Sequence, residues 1–201
     1  MTELNAETHK RQAEKHKVIF EEKLAKAQKT KGLLIVNTGT GKGKSTAAFG
    51  MGIRILGHNL RLGVVQFIKG AIQTAERTFL MQNKNCDFHT IGDGYTWNTQ
   101  NLESDIVTAR RGWLEAQRMI GDAAYDMVIL DELNVVLKHQ YLPLEEVLET
   151  LTGRRDDLHV VVTGRHAPET LIEAADLVSE MRMIKHPYKE QGIKAQAGIE
   201  F

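Results

Sequence analysis

Three glycines, Gly39, Gly41 and Gly43, lead into Lys44, Ser45 and Thr46 within the stretch GLLIVNTGTGKGKSTAA that runs from Gly32 to Ala48. Residues of these types in this order can hold a triphosphate. Glycines let the backbone curl until successive N–H groups point at phosphate oxygens. A helix N-terminus adds positive potential, Lys44 neutralises charge, and the Ser45 hydroxyl can ligate Mg²⁺. The candidate cradle comprises Gly39, Thr40, Gly41, Lys42, Gly43, Lys44, Ser45 and Thr46. It departs from the usual G-x-x-x-x-G-K-[ST] pattern in one place, Thr38, where a glycine is expected.

Further candidates fall at the ends of other apolar runs. Met127-Val128-Ile129-Leu130 ends in Asp131-Glu132. That is the form of a Walker B segment, in which a carboxylate at a strand end holds the magnesium shell. Neighbouring strand residues face opposite sides, so the two carboxylates cannot share one task if the strand runs through both. Lys69 follows the run Leu62–Phe67, and Arg165 follows His159–Thr163. Each is placed to reach a phosphate, or else is a solvated loop cation. The loop GDGYTWNTQN, residues 92–101, carries Tyr95 and Trp97 where turn chemistry favours small polar residues. The two rings either meet a flat apolar ligand or cover the protein's own core edge.

The elements that must position these residues are legible. Leu33–Val36 is too short for a helix and suits a strand buried on both faces. A helix follows through Ala47, Ala48, Phe49 and Met51. Strands are expected at 62–67, 86–91, 127–132, 159–163 and 177–184, with helices at 75–83, 102–124 and 142–152. The long helix turns Ile106, Ala109, Trp113, Ala116, Gln117 and Ile120 to one side. The tail from Lys185 is broken by Pro187, Gly192 and Gly198 and should cross the surface. Strands alternating with helices imply an α/β fold with a parallel sheet. Residues 1–30, rich in Glu, Lys, Gln and Ala, read as a helical arm with a thin apolar stripe from Val18, Ile19, Phe20 and Leu24. The arm is either a solvated helix or one that orders over a ligand. Residues 31–201 read as one domain.

Composition removes several classes. Formal net charge is zero, so no global field draws the chain to nucleic acid or to an anionic membrane. One cysteine, Cys86, excludes an internal disulfide and suits a reducing compartment. No apolar run approaches the ~20 residues of a membrane span, and no signal-peptide core is legible, so a cytoplasmic location is expected. No histidine pair has metal-ligand spacing.

Taken together, GTGKGKST, VVQFIKG, GYTWNTQN, MVILDEL, YLPLEEV, VTGR and the closing KAQAGIEF resemble the P-loop corrinoid adenosyltransferases over nearly the whole chain. The resemblance implies a RecA-like, mostly parallel sheet, a homodimer, and Mg²⁺ with ATP as co-substrate. It implies a corrinoid reduced to Co(I), and allows an electron-donor protein such as a flavodoxin. ATP is then expected reversed in the loop, with its 5′ carbon offered for attack. Lys44 and Glu132 become the catalytic candidates, Ser45 and Glu132 the magnesium ligands, and Tyr95 and Trp97 the corrin contacts. The chain differs from the family's pattern at Thr40, where asparagine is common, and at Ser45, which replaces threonine but keeps the hydroxyl. Two other readings stay open on spacing alone. One is an ATPase or kinase with Glu132 as its base, and the other is an ATP-dependent module that delivers a corrinoid unchanged.

Overall fold

The computed structural model describes residues 6–68, 74–91 and 101–200. The chain divides into two units, Met1–Lys31 and Gly32–Phe201. The first holds helix α1, Ala6–Lys26, on which Val18, Ile19, Phe20 and Leu24 are all exposed.

The second unit is built on strands β1 (Leu34–Thr38), β2 (Leu62–Gln66), β3 (Cys86–Thr90), β4 (Met127–Asp131), β5 (His159–Thr163) and β6 (Leu177–Glu180). They pair in the order β3-β2-β4-β5-β1-β6, with every pairing parallel. The helices are α2 (Lys44–Gly57), α3 (Ala75–Leu80), α4 (Leu102–Gly121), α5 (Leu133–Lys138), α6 (Leu144–Thr152), α7 (Glu169–Ala174) and α8 (Pro187–Gln191). The expected parallel sheet flanked by helices is therefore present.

Side-chain alternation sorts the strands' residues between two cores. Leu34, Val36, Val65, Val128, Leu130, Val160 and Val162 pack with Trp113, Ala116 and Met119 of α4 and with apolar residues of α5 to α7. Ile35, Leu62, Val64, Ile129 and Val161 face the other way, against Ala48, Phe49 and Ile55 of α2 and Leu80 of α3. A sheet covered on both faces needs continuous apolar strands, which is why these runs do not alternate with polar residues.

Several elements depart from expectation: α3 ends at Leu80 and α4 at Gly121, each three residues short of the expected bound. Helix α5 begins one residue beyond Glu132, where the sequence offered no turn signal. The last strand stops at Glu180 rather than Ile184. Pro187 opens the short helix α8, since a first-turn proline lacks only an N–H that would be unpaired anyway.

A charged cluster lies at the amino ends of the strands. Arg61 and the Tyr125 hydroxyl both donate to Asp87, and Arg118 donates to Glu115. Burial pushes the Asp87 carboxyl up, but the hydrogen bonds from Arg61 and Tyr125 hold it below its ordinary value. Ligand sites in open parallel sheets form at the opposite, carboxyl edge, so this cluster is structural.

Candidate active site

The carboxyl edge assembles the P-loop, the Asp131–Glu132 turn and the loop after β5. Gly39 and Gly43 take positive φ of 97° and 103°, a region open to glycine and costly to other residues. Gly41 has a different reason to be glycine. A Cβ there would lie 2.8 Å from the carbonyl oxygen of Met181 and 2.8 Å from the carbonyl carbon of Arg182. The segment after β6 crosses the loop in backbone contact, and the Gly41 N–H donates to Met181 O at 2.6 Å.

Thr38, the departure from the usual motif, ends β1 and is buried. Its hydroxyl accepts from Ala167 N at 3.2 Å, and its carbonyl accepts from Met181 N at 2.9 Å. The side chain thus ties the P-loop strand to the loop that carries Arg165, a bond glycine would forgo.

Lys44 opens α2 and is only 8% exposed. Its ammonium donates to Gly41 O at 2.6 Å, across the mouth of the loop. A triphosphate seated on the loop would offer a charged acceptor in place of that carbonyl. Lys42 is exposed and pairs with Glu200 at 2.5 Å. The family-like tail thereby returns to the P-loop, a pairing across 158 residues that spacing could not reveal.

At or next to the carboxyl ends of four strands, Asp131 of the acidic pair meets three residues, Gln66, Asn37 and Thr163, that the sequence did not single out. Gln66 pairs in register with Asp131, and Asn37 pairs in register with Thr163. All four are buried. By alternation each lies on the α2 face, in step with Val64, Ile129, Val161 and Ile35. They form a polar rung above apolar ones. Gln66 Nε2 donates to Asp131 Oδ2 at 2.8 Å and Thr163 Oγ1 donates to Asp131 Oδ1 at 2.7 Å. Asn37 Nδ2 reaches Lys44 O at 3.4 Å, touching the helix that carries the P-loop lysine. A lone glutamine or threonine closing an apolar run is no motif; only register brings the four together.

Glu132 does not continue β4. It adopts φ 63°, ψ 19°, a left-handed conformation, and precedes α5 without capping it by its side chain. Its N–H donates to Thr163 Oγ1 at 3.0 Å. The conflict between adjacent carboxylates is resolved by this turn, because alternation ends at Asp131.

Arg165 is exposed at the same edge. Its loop is held by Gly164 N donating to Asn37 O at 3.2 Å and by Asn134 Nδ2 donating to Gly164 O at 3.0 Å. Thr40 and Thr46 are exposed and Ser45 is half-buried in the first turn of α2. Lys69, Tyr95 and Trp97 lie outside the described residues.

Residues 30–201 match the family described as ATP:corrinoid adenosyltransferase BtuR/CobO/CobP. The chain belongs to that family. It is 47% identical over 194 residues to a corrinoid adenosyltransferase of Pseudomonas aeruginosa, covering 96% of this chain and 95% of that one. A corrinoid adenosyltransferase of Escherichia coli is 42% identical, covering 98% of this chain and 100% of that one. The Salmonella typhimurium relative, named corrinoid adenosyltransferase CobA, is 41% identical over 198 residues.

The family accounts for a P-loop combined with a carboxylate turn. Among the described residues no cluster of three or more His, Cys, Asp or Glu could hold a metal by itself. Mg²⁺ needs no such cluster, since it takes one or two protein oxygens and completes its shell with phosphate and water. The hydroxyl of Ser45 and the carboxylate of Glu132 are hard oxygen donors of the required kind. Among the described residues no helix is long and apolar enough to cross a membrane.

Proposed function

We propose that this chain transfers the 5′-deoxyadenosyl group of ATP to the Co(I) centre of a corrinoid, in adenosylcobalamin biosynthesis or salvage. The observation that carries the reading is family membership across residues 30–201, which include the glycine loop and the buried Lys44. In the transfer, the cobalt electron pair forms the Co–C bond, the C5′–O bond breaks, and tripolyphosphate leaves with that bond's electrons. The nucleophile carries no proton, so no general base is needed. The protein must align two reactants and hold charge on the leaving group.

Lys44 exchanges its bond to Gly41 O for one to the departing triphosphate, and the loop N–H groups take the remaining oxygens. Ser45 and Glu132 would hold Mg²⁺, which when bound neutralises charge building on the leaving phosphate oxygens. Lys42, at the exposed rim, screens the same charge once ATP competes with Glu200 for it. An exposed ion pair of this kind is worth at most ~1 kcal/mol, so the exchange costs little. Lys69 and Arg165 are further phosphate contacts. Tyr95 and Trp97 meet the corrin, residues 1–30 close over it, and the working form is a cytoplasmic homodimer served by a flavodoxin-like reductant.

The deciding experiment supplies reduced corrinoid and Mg²⁺-ATP and follows all products. Light-sensitive alkyl-cobalt corrinoid and tripolyphosphate should appear in equal amounts. ADP and phosphate formed at the turnover rate would replace this reading with an ATPase.

A further inference from the structure

We propose that Thr163 is the positioning residue for Glu132, setting the turn that presents its carboxylate to the metal. This rests on the assignment of Glu132 to Mg²⁺ made above. Thr163 closes β5, the strand between β4 and β1. Its single hydroxyl serves two partners: the proton goes to Asp131 Oδ1 at 2.7 Å and the oxygen accepts the Glu132 N–H at 3.0 Å.

That N–H is the first beyond β4, where a continuing ladder would give it a backbone partner. A side chain supplies the partner instead, and the backbone turns into the left-handed region at Glu132. A non-glycine residue is strained there and stays only where its surroundings hold it. The hold is stiff because the hydroxyl is itself fixed. Asp131 is wholly buried, and its other oxygen is taken by Gln66. Bonds run from Gln66 to Asp131 to Thr163 to the Glu132 backbone, joining the ends of β2, β4 and β5. Without the turn, alternation would carry Glu132 to the α4 face, away from α2 and the P-loop.

Three substitutions separate this role from plain support of the fold. Thr163→Val keeps the shape and removes both bonds. Thr163→Ser keeps both bonds. Gln66→Leu removes a donor to Asp131 but leaves the Thr163–Glu132 bond. Binding of a fluorescent ATP analogue is titrated with Mg²⁺ and repeated in EDTA, beside thermal unfolding of each variant.

The valine variant should need about tenfold more Mg²⁺ for half-maximal enhancement of nucleotide binding, as when outer partners of metal ligands are removed. Its affinity in EDTA should stay unchanged. Serine should restore the native Mg²⁺ response, whereas leucine at position 66 should lower thermal stability with the native Mg²⁺ response intact. Should the valine variant not fold, Thr163→Cys, with its weak donor and acceptor, takes its place and should give an intermediate Mg²⁺ requirement.

A native Mg²⁺ response in the Thr163 variants while Glu132→Gln loses it would overturn the proposal and leave the metal assignment standing. Equal shifts from Gln66→Leu and Thr163→Val would reduce Thr163 to general support of Asp131 and likewise overturn it. A native response in Glu132→Gln would remove the metal assignment, and the proposal with it.

Discussion

Replacing Asp131 by alanine tests whether the polar rung at the carboxyl edge is a cooperating unit. The carboxylate is wholly buried and accepts from Gln66 Nε2 and Thr163 Oγ1, both themselves buried. Truncation strands two donors away from water, each at a cost of about 1–3 kcal/mol. Removing a buried charge returns part of this, because its desolvation no longer opposes folding. A net loss of about 3 kcal/mol is expected, or roughly 6–12 °C in Tm for a domain of this size. Asparagine should do less damage. Its carbonyl still accepts from Gln66, its amide can donate to Thr163 Oγ1, and only the threonine proton loses its acceptor, at about 1 kcal/mol. The assay is calorimetric Tm with urea midpoints, comparing variants at unchanged m. An alanine variant within about 0.5 kcal/mol of the native protein, or one more stable than the asparagine variant, would refute the network.

Other substitutions probe separate parts of the site. Lys44→Ala should lower kcat/KM by at least ~10²-fold, since its contact strengthens as the leaving group gains charge, and steady-state kinetics with Co(I) corrinoid reads this directly. Gly41→Ala should destabilise the protein by about 1–3 kcal/mol and weaken ATP binding, because its Cβ would press on the backbone of Met181 and Arg182; calorimetry and nucleotide titration measure both. Burial, and after it the neighbouring Asp87, pushes the Cys86 thiol up to about 11. Its labelling by a thiol reagent should therefore be slow at neutral pH and climb about tenfold per pH unit until the thiolate predominates. Because this pKa is higher in the folded than in the unfolded state, the thiol's share of stability is complete below pH ~8.5 and fades as pH rises toward 11.

Local sequence determined the chemistry's main instruments. A glycine-rich turn between an apolar strand and a helix is a local pattern, so the strand, turn and helix around Gly39 to Thr46 were legible without any tertiary knowledge. Runs such as Met127–Leu130 and His159–Thr163 announced buried parallel strands, because only a doubly covered sheet tolerates unbroken apolar residues. Strand order and register were decided only in three dimensions. They align Gln66, Asp131, Thr163 and Asn37 from segments scattered between residues 37 and 163. A local pattern marks Asp131 alone, since Gln66, Thr163 and Asn37 are ordinary polar residues at or next to the ends of their own strands. The Glu132 turn is equally invisible, because it depends on a hydroxyl from β5 rather than on a glycine in its own segment. Likewise Gly41 looks in sequence like a phosphate-binding glycine, whereas the fold also requires it where the chain after β6 crosses at backbone distance. Local residue types specified what could bind; long-range pairing specified how the acidic turn is held, because hydrogen bonds between strand ends form only once the sheet has set their register.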